Sequence, residues 1–220
     1  MHCDLLLTNI KGLVQVRAAS EKRVAGAAMA QLPVIENAYL CIVNGTIASF
    51  GTMEQLPALT VAQTIDCSGR FVFPSFVDSH THLVFAASRE EEFVMKIKGA
   101  TYQQIAAAGG GILNSARKLQ ALSEDELLER SLPRARAIIS TGTGAVEIKS
   151  GYGLTVKDEL KMLRVAKRIA TETPLTIKTT FLGAHAVPSG VTKEQSIDTI
   201  IREMIPAVAE EKLADYIDVF

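Results

Sequence analysis

Ala145-Val-Glu-Ile-Lys-Ser-Gly-Tyr-Gly-Leu-Thr-Val-Lys-Asp-Glu-Leu-Lys-Met-Leu-Arg-Val-Ala-Lys-Arg-Ile-Ala-Thr-Glu-Thr-Pro-Leu-Thr-Ile-Lys-Thr-Thr-Phe-Leu182 reads as strand, helix, strand. Ala145–Lys149 is a short apolar run closed by the turn signal Ser150-Gly-Tyr-Gly153. Thr155, with Asp158 three residues on, opens a helix whose Met162, Val165, Ala166 and Ile169 recur at i, i+3, i+4 and i+7 on one face, and Pro174 ends it. Leu175–Leu182 then supplies a second strand.

The same alternation continues on both sides. Upstream, Ser123-Glu-Asp-Glu126 forms a capping box for a helix running to about Ser140, with Pro133 as a kink point and Gly142 as its stop. Downstream, Thr192 and Gln195 cap a helix carrying Ile197, Ile200, Ile201 and Met204; Pro206 is expected to interrupt it, and Tyr216–Phe220 begins another strand. Short loops between strands and helices imply a parallel sheet with right-handed crossovers. With Phe71–Val77, four core strands are expected. A (β/α)8 barrel takes about 250 residues, so residues 71–220 read as the first half of an α/β TIM-like barrel. The doubly wound alternative lacks its G-x-G-x-x-G fingerprint, since Gly142-Thr-Gly144 opens a strand.

Residues 1–70 read as β structure. Asp4–Asn9 is a strand, Ala38–Phe50 is a hairpin turning on Asn44-Gly45, and Thr64–Cys67 leads toward the barrel. Residues 17–33 have no clear period and are expected to form a loop.

The 220 residues, 48% hydrophobic with 23 Lys+Arg against 24 Asp+Glu, suffice for a sizeable core and leave no basic footprint for nucleic acid. No apolar run approaches the ~20 residues that span a bilayer, and Met-His-Cys-Asp lacks the basic start of a secretory signal. A cytoplasmic protein without membrane partners is expected. Cys3, Cys41 and Cys67, odd in number and widely spaced, suit reduced thiols.

Polar residues gather after the expected strands, where parallel α/β folds place their sites. Phe73-Pro-Ser-Phe-Val-Asp-Ser-His-Thr-His-Leu-Val-Phe85 sets His80 and His82 two apart, hence on one face of a strand and able to share a metal ion. In isolation, such a pair reads more readily as two hydrogen-bonded polar residues, and the apolar strand before it with Asp78 raises the ligand reading. Asp78 is either a carboxylate that orients an imidazole or a turn residue. Tyr152 lies between two glycines, which lets a phenol approach a ligand or sit as an ordinary loop residue. By spacing alone His185 could be a third ligand. Arg89 offers a fork for a carboxylate or pairs with one of Glu90, Glu91 and Glu92. Gly109-Gly-Gly111 lacks the Lys-Ser/Thr of a phosphate loop and is expected to be a mobile loop near the site.

Ile65-Asp-Cys-Ser-Gly-Arg-Phe-Val-Phe-Pro-Ser-Phe-Val-Asp-Ser-His-Thr-His82 resembles the opening of the barrel in the metal-dependent amidohydrolases. Further on, His80-Thr-His-Leu-Val-Phe-Ala-Ala-Ser-Arg89, Glu92-Phe93, Gly99–Tyr102 through Gly109–Ile112, Glu147-Ile-Lys-Ser-Gly-Tyr-Gly-Leu154 and Thr180-Phe-Leu-Gly-Ala-His-Ala-Val-Pro188 resemble the imidazolonepropionase family. The resemblance spans essentially the whole chain. It implies hydrolysis of the cyclic amide of 4-imidazolone-5-propanoate to N-formimidoyl-L-glutamate, a step of histidine degradation, with one divalent or trivalent metal ion, zinc or iron.

By position it makes His80 and His82 metal ligands and Arg89, Tyr152 and His185 substrate contacts, with His185 also catalytic. It assigns Lys149 no metal role. The remaining ligands, a histidine and an aspartate, are expected beyond Phe220, and the full-length protein is expected to be a homodimer. Ser75 stands where the family has glycine and Lys96 where it has arginine; both lie outside the site. The runners-up are another amidohydrolase, such as a heterocycle deaminase, and a non-catalytic truncated fragment. Alone, the 220 residues are expected to bind metal weakly and not to turn over.

Overall fold

The structure is a computed structural model that describes residues 2–18, 20, 21 and 23–219. The chain divides into two compact units, residues 1–74 and 75–220.

The first unit is one sheet. Its strands β1 (His2–Val14), β2 (Val34–Val43), β3 (Thr46–Thr52) and β4 (Thr60–Asp66) lie in the order β3-β2-β1-β4, and the short β5 (Phe71–Val72) also pairs with β1. The β2–β3 hairpin turns at Asn44 and Gly45, whose φ angles of 50° and 73° are those an Asn-Gly turn supplies. β2 buries both of its faces. Ala38 and Leu40 pack with Ile10, Leu13 and Cys67, while Tyr39 and Cys41 pack with Cys3 and Leu6. Within 17–33, residues 26–30 form a 3-10 turn, and Ala19 and Lys22 lie outside the described residues. Of the three cysteines, Cys3 and Cys41 face each other across β1 and β2 with their Cα atoms 6.0 Å apart, and Cys67 is a separate, buried thiol. Pairing of adjacent strands brings together two cysteines that are 38 residues apart in sequence.

The second unit carries a four-stranded parallel sheet in sequential order: β6 (Phe76–Thr81), β7 (Thr143–Lys149), β8 (Thr176–Ala184) and β9 (Tyr216–Val219). Phe220 lies outside the described residues. Sequential parallel order is what half of a (β/α)8 barrel requires, and the sheet has that form.

The helices α4 (Glu124–Ser140) and α5 (Val156–Glu172) begin at the expected caps. Ser123 accepts the Glu126 N–H, Thr155 accepts the Asp158 N–H, and Ser123 and Glu126 complete the reciprocal box. Their apolar faces meet the sheet in a core of Leu119, Leu127, Val146, Ile148, Met162, Val165 and Ile169. On the other side of α5, Leu160 and Leu163 pack on Phe181, Met204 and Val208.

Three short helices, α1 (Glu90–Ile97), α2 (Tyr102–Ala107) and α3 (Ile112–Gln120), fill the connection from β6 to α4. Pro206 does not interrupt its helix as expected. α6 (Lys193–Thr199) passes through a π-helical turn at Ile200–Met204 directly into α7 (Ile205–Glu210), with Pro206 at the start of α7. Proline there needs no N–H acceptor, and the wider turn gives its ring room. Ser75 is matched by Gly144, where a Cβ would fall 2.2 Å from the Ser75 hydroxyl oxygen.

Candidate functional site at the carboxyl ends of the strands

His80 is on β6, His82 directly follows that strand, Tyr152 lies in the turn after β7, and His185 follows β8. The parallel topology therefore delivers all four to one edge of the sheet. Between Asp78 and Thr81 the register of β6 against β7 slips, three steps on β6 facing two on β7. This bulge re-aims the histidines, as bulges beside sites commonly do. The His80 and His82 ring centroids lie 5.9 Å apart at 70°. His82, Tyr152 and His185 form a triangle of rings with centroid separations of 5.1, 5.2 and 5.3 Å, the two imidazoles nearly parallel at 10°.

The main chain beside the histidines is braced from behind. Thr81, between the histidines, donates its N–H to Glu147 Oε2 (3.3 Å) and its hydroxyl to the Glu147 carbonyl (2.6 Å). Glu147 in turn accepts Lys149 Nζ at 2.9 Å, and Lys149 reaches Asp218 at 3.0 Å. Burial lowers the Lys149 pKa, but the two carboxylates outweigh it and hold the ammonium charged. Lys149 is thus fully engaged in ion pairs. Beyond His82, Arg134 donates to the carbonyls of Leu83 (2.9 Å) and Phe85 (2.8 Å) and stacks 3.7 Å over the Phe85 ring, while Arg130 holds the Ala86 carbonyl. Asp78 accepts the backbone N–H of His80 at 3.3 Å, so it acts on the main chain of the bulge.

Electrostatically, His82 is kept neutral. Burial lowers its pKa first, and His185, His80 and Lys149 add to that. Its Nδ1 is buried and has no hydrogen-bond partner among the described residues. A neutral imidazole with an orphaned nitrogen is in the state a metal ligand requires. With Zn–N bonds of about 2.0–2.1 Å, two tetrahedral imidazole ligands sit with centroids roughly 5–6 Å apart, which the His80–His82 pair matches. The spacing of the two rings is that of imidazoles able to share a metal ion. Among the described residues no group of three His, Cys, Asp or Glu side chains is placed to hold one. Tyr152 is pushed up in pKa by burial, against the opposing charge of Arg89, and stays a neutral phenol.

Arg89 caps α1 and is paired with Glu92: Nε and Nη2 both reach Oε2, at 2.9 and 2.8 Å. Glu92 Oε1 accepts the Gly111 N–H at 2.9 Å. The Gly109–Gly111 turn, with φ near +87° and +85° at its ends, joins α2 to α3. A cleft of about 620 Å3 runs between Gly109–Leu113, Leu154-Thr155 and Val187–Ser189, the segments that follow the Tyr152 and His185 turns. The bracing roles of Glu147 and Glu92 had no sequence signal of their own, although both residues fall within stretches that carry the family resemblance. Their backbone partners, the Thr81 and Gly111 N–H groups, are brought close only by folding.

No family model matches the chain. Curated proteins do. The chain is 54% identical over 217 residues to imidazolonepropionase of Flavobacterium johnsoniae, covering 98% of the chain and 53% of that protein. It is 52% identical over 218 residues to the Christiangramia forsetii protein of the same name, with 98% and 53% covered. To that of Xanthomonas campestris pv. campestris it is 42% identical over 220 residues, with 100% and 52% covered.

Its sequence relatives are the imidazolonepropionases.

The chain spans about half the length of these relatives. Among solved structures it resembles a triazine hydrolase from Arthrobacter aurescens, with a TM-score of 0.61 at 14% identity over 94% of this chain and 42% of that one. It also resembles the atrazine chlorohydrolase of the same organism, crystallised with zinc, with a TM-score of 0.56 at 13% identity over 98% and 46%. At these identities the likeness is one of fold.

Proposed function

We propose that this chain supplies the first half of an imidazolonepropionase: a partial (β/α)8 barrel over residues 71–220 and a β segment over 1–70 that contributes to a composite sandwich. The reaction is hydrolysis of the cyclic amide of 4-imidazolone-5-propanoate to N-formimidoyl-L-glutamate. The observation that carries the reading is the convergence of His80, His82, Tyr152 and His185 at one sheet edge, in a chain 42–54% identical to imidazolonepropionases.

His80 and His82 would hold one divalent metal ion; zinc is favoured by the fold relative crystallised with it. When bound, such an ion polarises a carbonyl and activates water near neutral pH. The chain's own residues do the rest. Tyr152 and His185 flank the imidazolone ring, with the neutral phenol donating a hydrogen bond and the imidazole able to hold or pass a proton at the amide. Arg89 receives the propanoate: Glu92 occupies the Nε side of the guanidinium, which leaves the end-on fork for a second carboxylate.

The test joins this chain to the second half of the Flavobacterium johnsoniae relative and assays it with zinc or iron(II). Turnover of imidazolonepropanoate is expected, with none on nucleobase or guanine-type substrates; turnover of the latter alone overturns the reading. Residues 1–220 alone are expected to give no turnover.

A further inference from the structure

We infer that Glu159 is a positioning residue, which acts through the main chain of residues 150–154 to set both Tyr152 and the ring of His185. The inference rests on the reading of those two side chains as substrate contacts.

Glu159 lies in the first turn of α5, where an acidic residue would ordinarily face solvent and complement the helix dipole. Here it is 1% exposed. Its Oε2 accepts the Gly151 N–H at 2.8 Å, and its Oε1 accepts those of Gly153 (2.7 Å) and Leu154 (2.9 Å). The Ser150 hydroxyl bonds to the same carboxylate, and Ser150 Oγ accepts the Leu182 N–H from β8 at 3.0 Å. One side chain thus closes the turn around Tyr152 and ties it to the next strand.

The turn would not hold this shape unaided. Leu154 is a bulky residue at φ 59°, in the left-handed region that costs such side chains about 1 kcal/mol or more. Gly153 abuts the helix start so closely that a Cβ would fall 2.4 Å from the backbone of Asp158 and Glu159. Burial raises the pKa of Glu159, and the Ser150 hydroxyl and three N–H donors oppose that rise. A desolvated carboxylate is costly to keep, and its donors all come from the turn that carries Tyr152.

The chain of bonds continues to His185. Its Nδ1 is 3.0 Å from the Gly151 carbonyl oxygen, which can only accept, so Nδ1 carries a proton in this hydrogen bond. Gly151, at φ 105°, is held by Glu159 at its N–H and by His185 at its carbonyl. A Cβ there would meet His185 Nδ1 at 2.8 Å. Releasing the Gly151 N–H therefore frees the carbonyl that fixes the His185 tautomer.

The experiment is 15N NMR of the imidazole nitrogens in the 220-residue chain, which needs no turnover. Failure of the joined enzyme to hydrolyse imidazolonepropanoate counts against the functional reading, whereas the His185 tautomer is read without any turnover. In the wild-type chain His185 is expected as the Nδ1–H tautomer. Glu159→Gln, which sets an amide N–H against the turn's N–H groups, is expected to raise the Nε2–H population several-fold and to broaden the Tyr152 ring signals. The β7, α5 and β8 amides should keep their exchange protection. Glu159→Asp, charged but short by a methylene, gives a smaller shift in the same direction and serves if the glutamine variant does not fold. A folded variant with an unchanged His185 tautomer and Tyr152 ring overturns the inference, as does an Nε2–H tautomer in the wild-type chain.

Discussion

Arg89 shows how one residue can look like surface chemistry and be placed for recognition. An exposed Arg–Glu pair three residues apart is worth at most about 1 kcal/mol, yet Glu92 spends its second oxygen on Gly111 and so fixes the guanidinium against the glycine turn. In the joined enzyme, Arg89→Ala is expected to raise KM for imidazolonepropanoate about 10- to 100-fold, the loss of one charged hydrogen-bonded contact, with a smaller change for the propanamide analogue. Glu92→Gln should fall between. Steady-state kinetics with both substrates checks this, and equal KM values in Arg89→Ala and wild type would return Arg89 to the surface. His82→Ala should weaken zinc binding by the chain more than tenfold, read by competition with a chromophoric chelator. The sequence made these residues candidates through their types and spacing. It could not choose among Glu90, Glu91 and Glu92 as the partner of Arg89, because that choice depends on where the Gly109–Gly111 turn folds back.

The elements that were legible are those with a cap at one end and a breaker at the other. Thr155 with Asp158 and then Pro174 bracket α5, and Ser123 with Glu126 starts α4, all where the side chains satisfy the first free N–H groups. α1 to α3 were not read, because eight residues beginning Glu-Glu-Glu offer no apolar period and glycines interrupt the rest. The His82 segment depends on a remote element: Arg134 in α4 supplies two hydrogen bonds and a ring contact to Leu83–Phe85. Arg134→Ala should cost about 1–3 kcal/mol in urea unfolding, since it leaves two part-buried carbonyls without their charged donor. At the start of β9, Asp215 is held low in pKa, first by Lys178 and then by the Thr179 N–H. A depressed folded pKa contributes stability above the unfolded carboxylate pKa and loses it as pH falls through the folded one. Asp215→Asn should thus cost up to about 1 kcal/mol at neutral pH and flatten the acid limb of stability against pH. An unaltered acid limb would count against the pair.

For the whole molecule, the strand count settled the class, because four sequential parallel strands with crossover helices admit few other arrangements. The same count leaves two open edges, β6 and β9. Along them Phe76, Val77, Tyr216, Ile217 and Val219 are between 55% and 75% exposed, an amount of apolar strand surface that soluble sheets normally cover or charge. Half a barrel read from the sequence already implies exposed strand edges and apolar surface; which side chains line them has no period, since a strand buried on both faces and one left open read alike. The 220-residue chain is therefore expected to self-associate reversibly, its weight-average mass in sedimentation velocity rising across the micromolar range. Val77→Lys with Ile217→Lys places a charge on each open strand without touching His80, His82, Tyr152 or His185. That pair should shift association to at least tenfold higher concentration while leaving zinc affinity unchanged, because the edge surface and the ring cluster are separate features of one sheet. A wild-type chain that stays monomeric throughout would show that the exposed edge residues do not drive association.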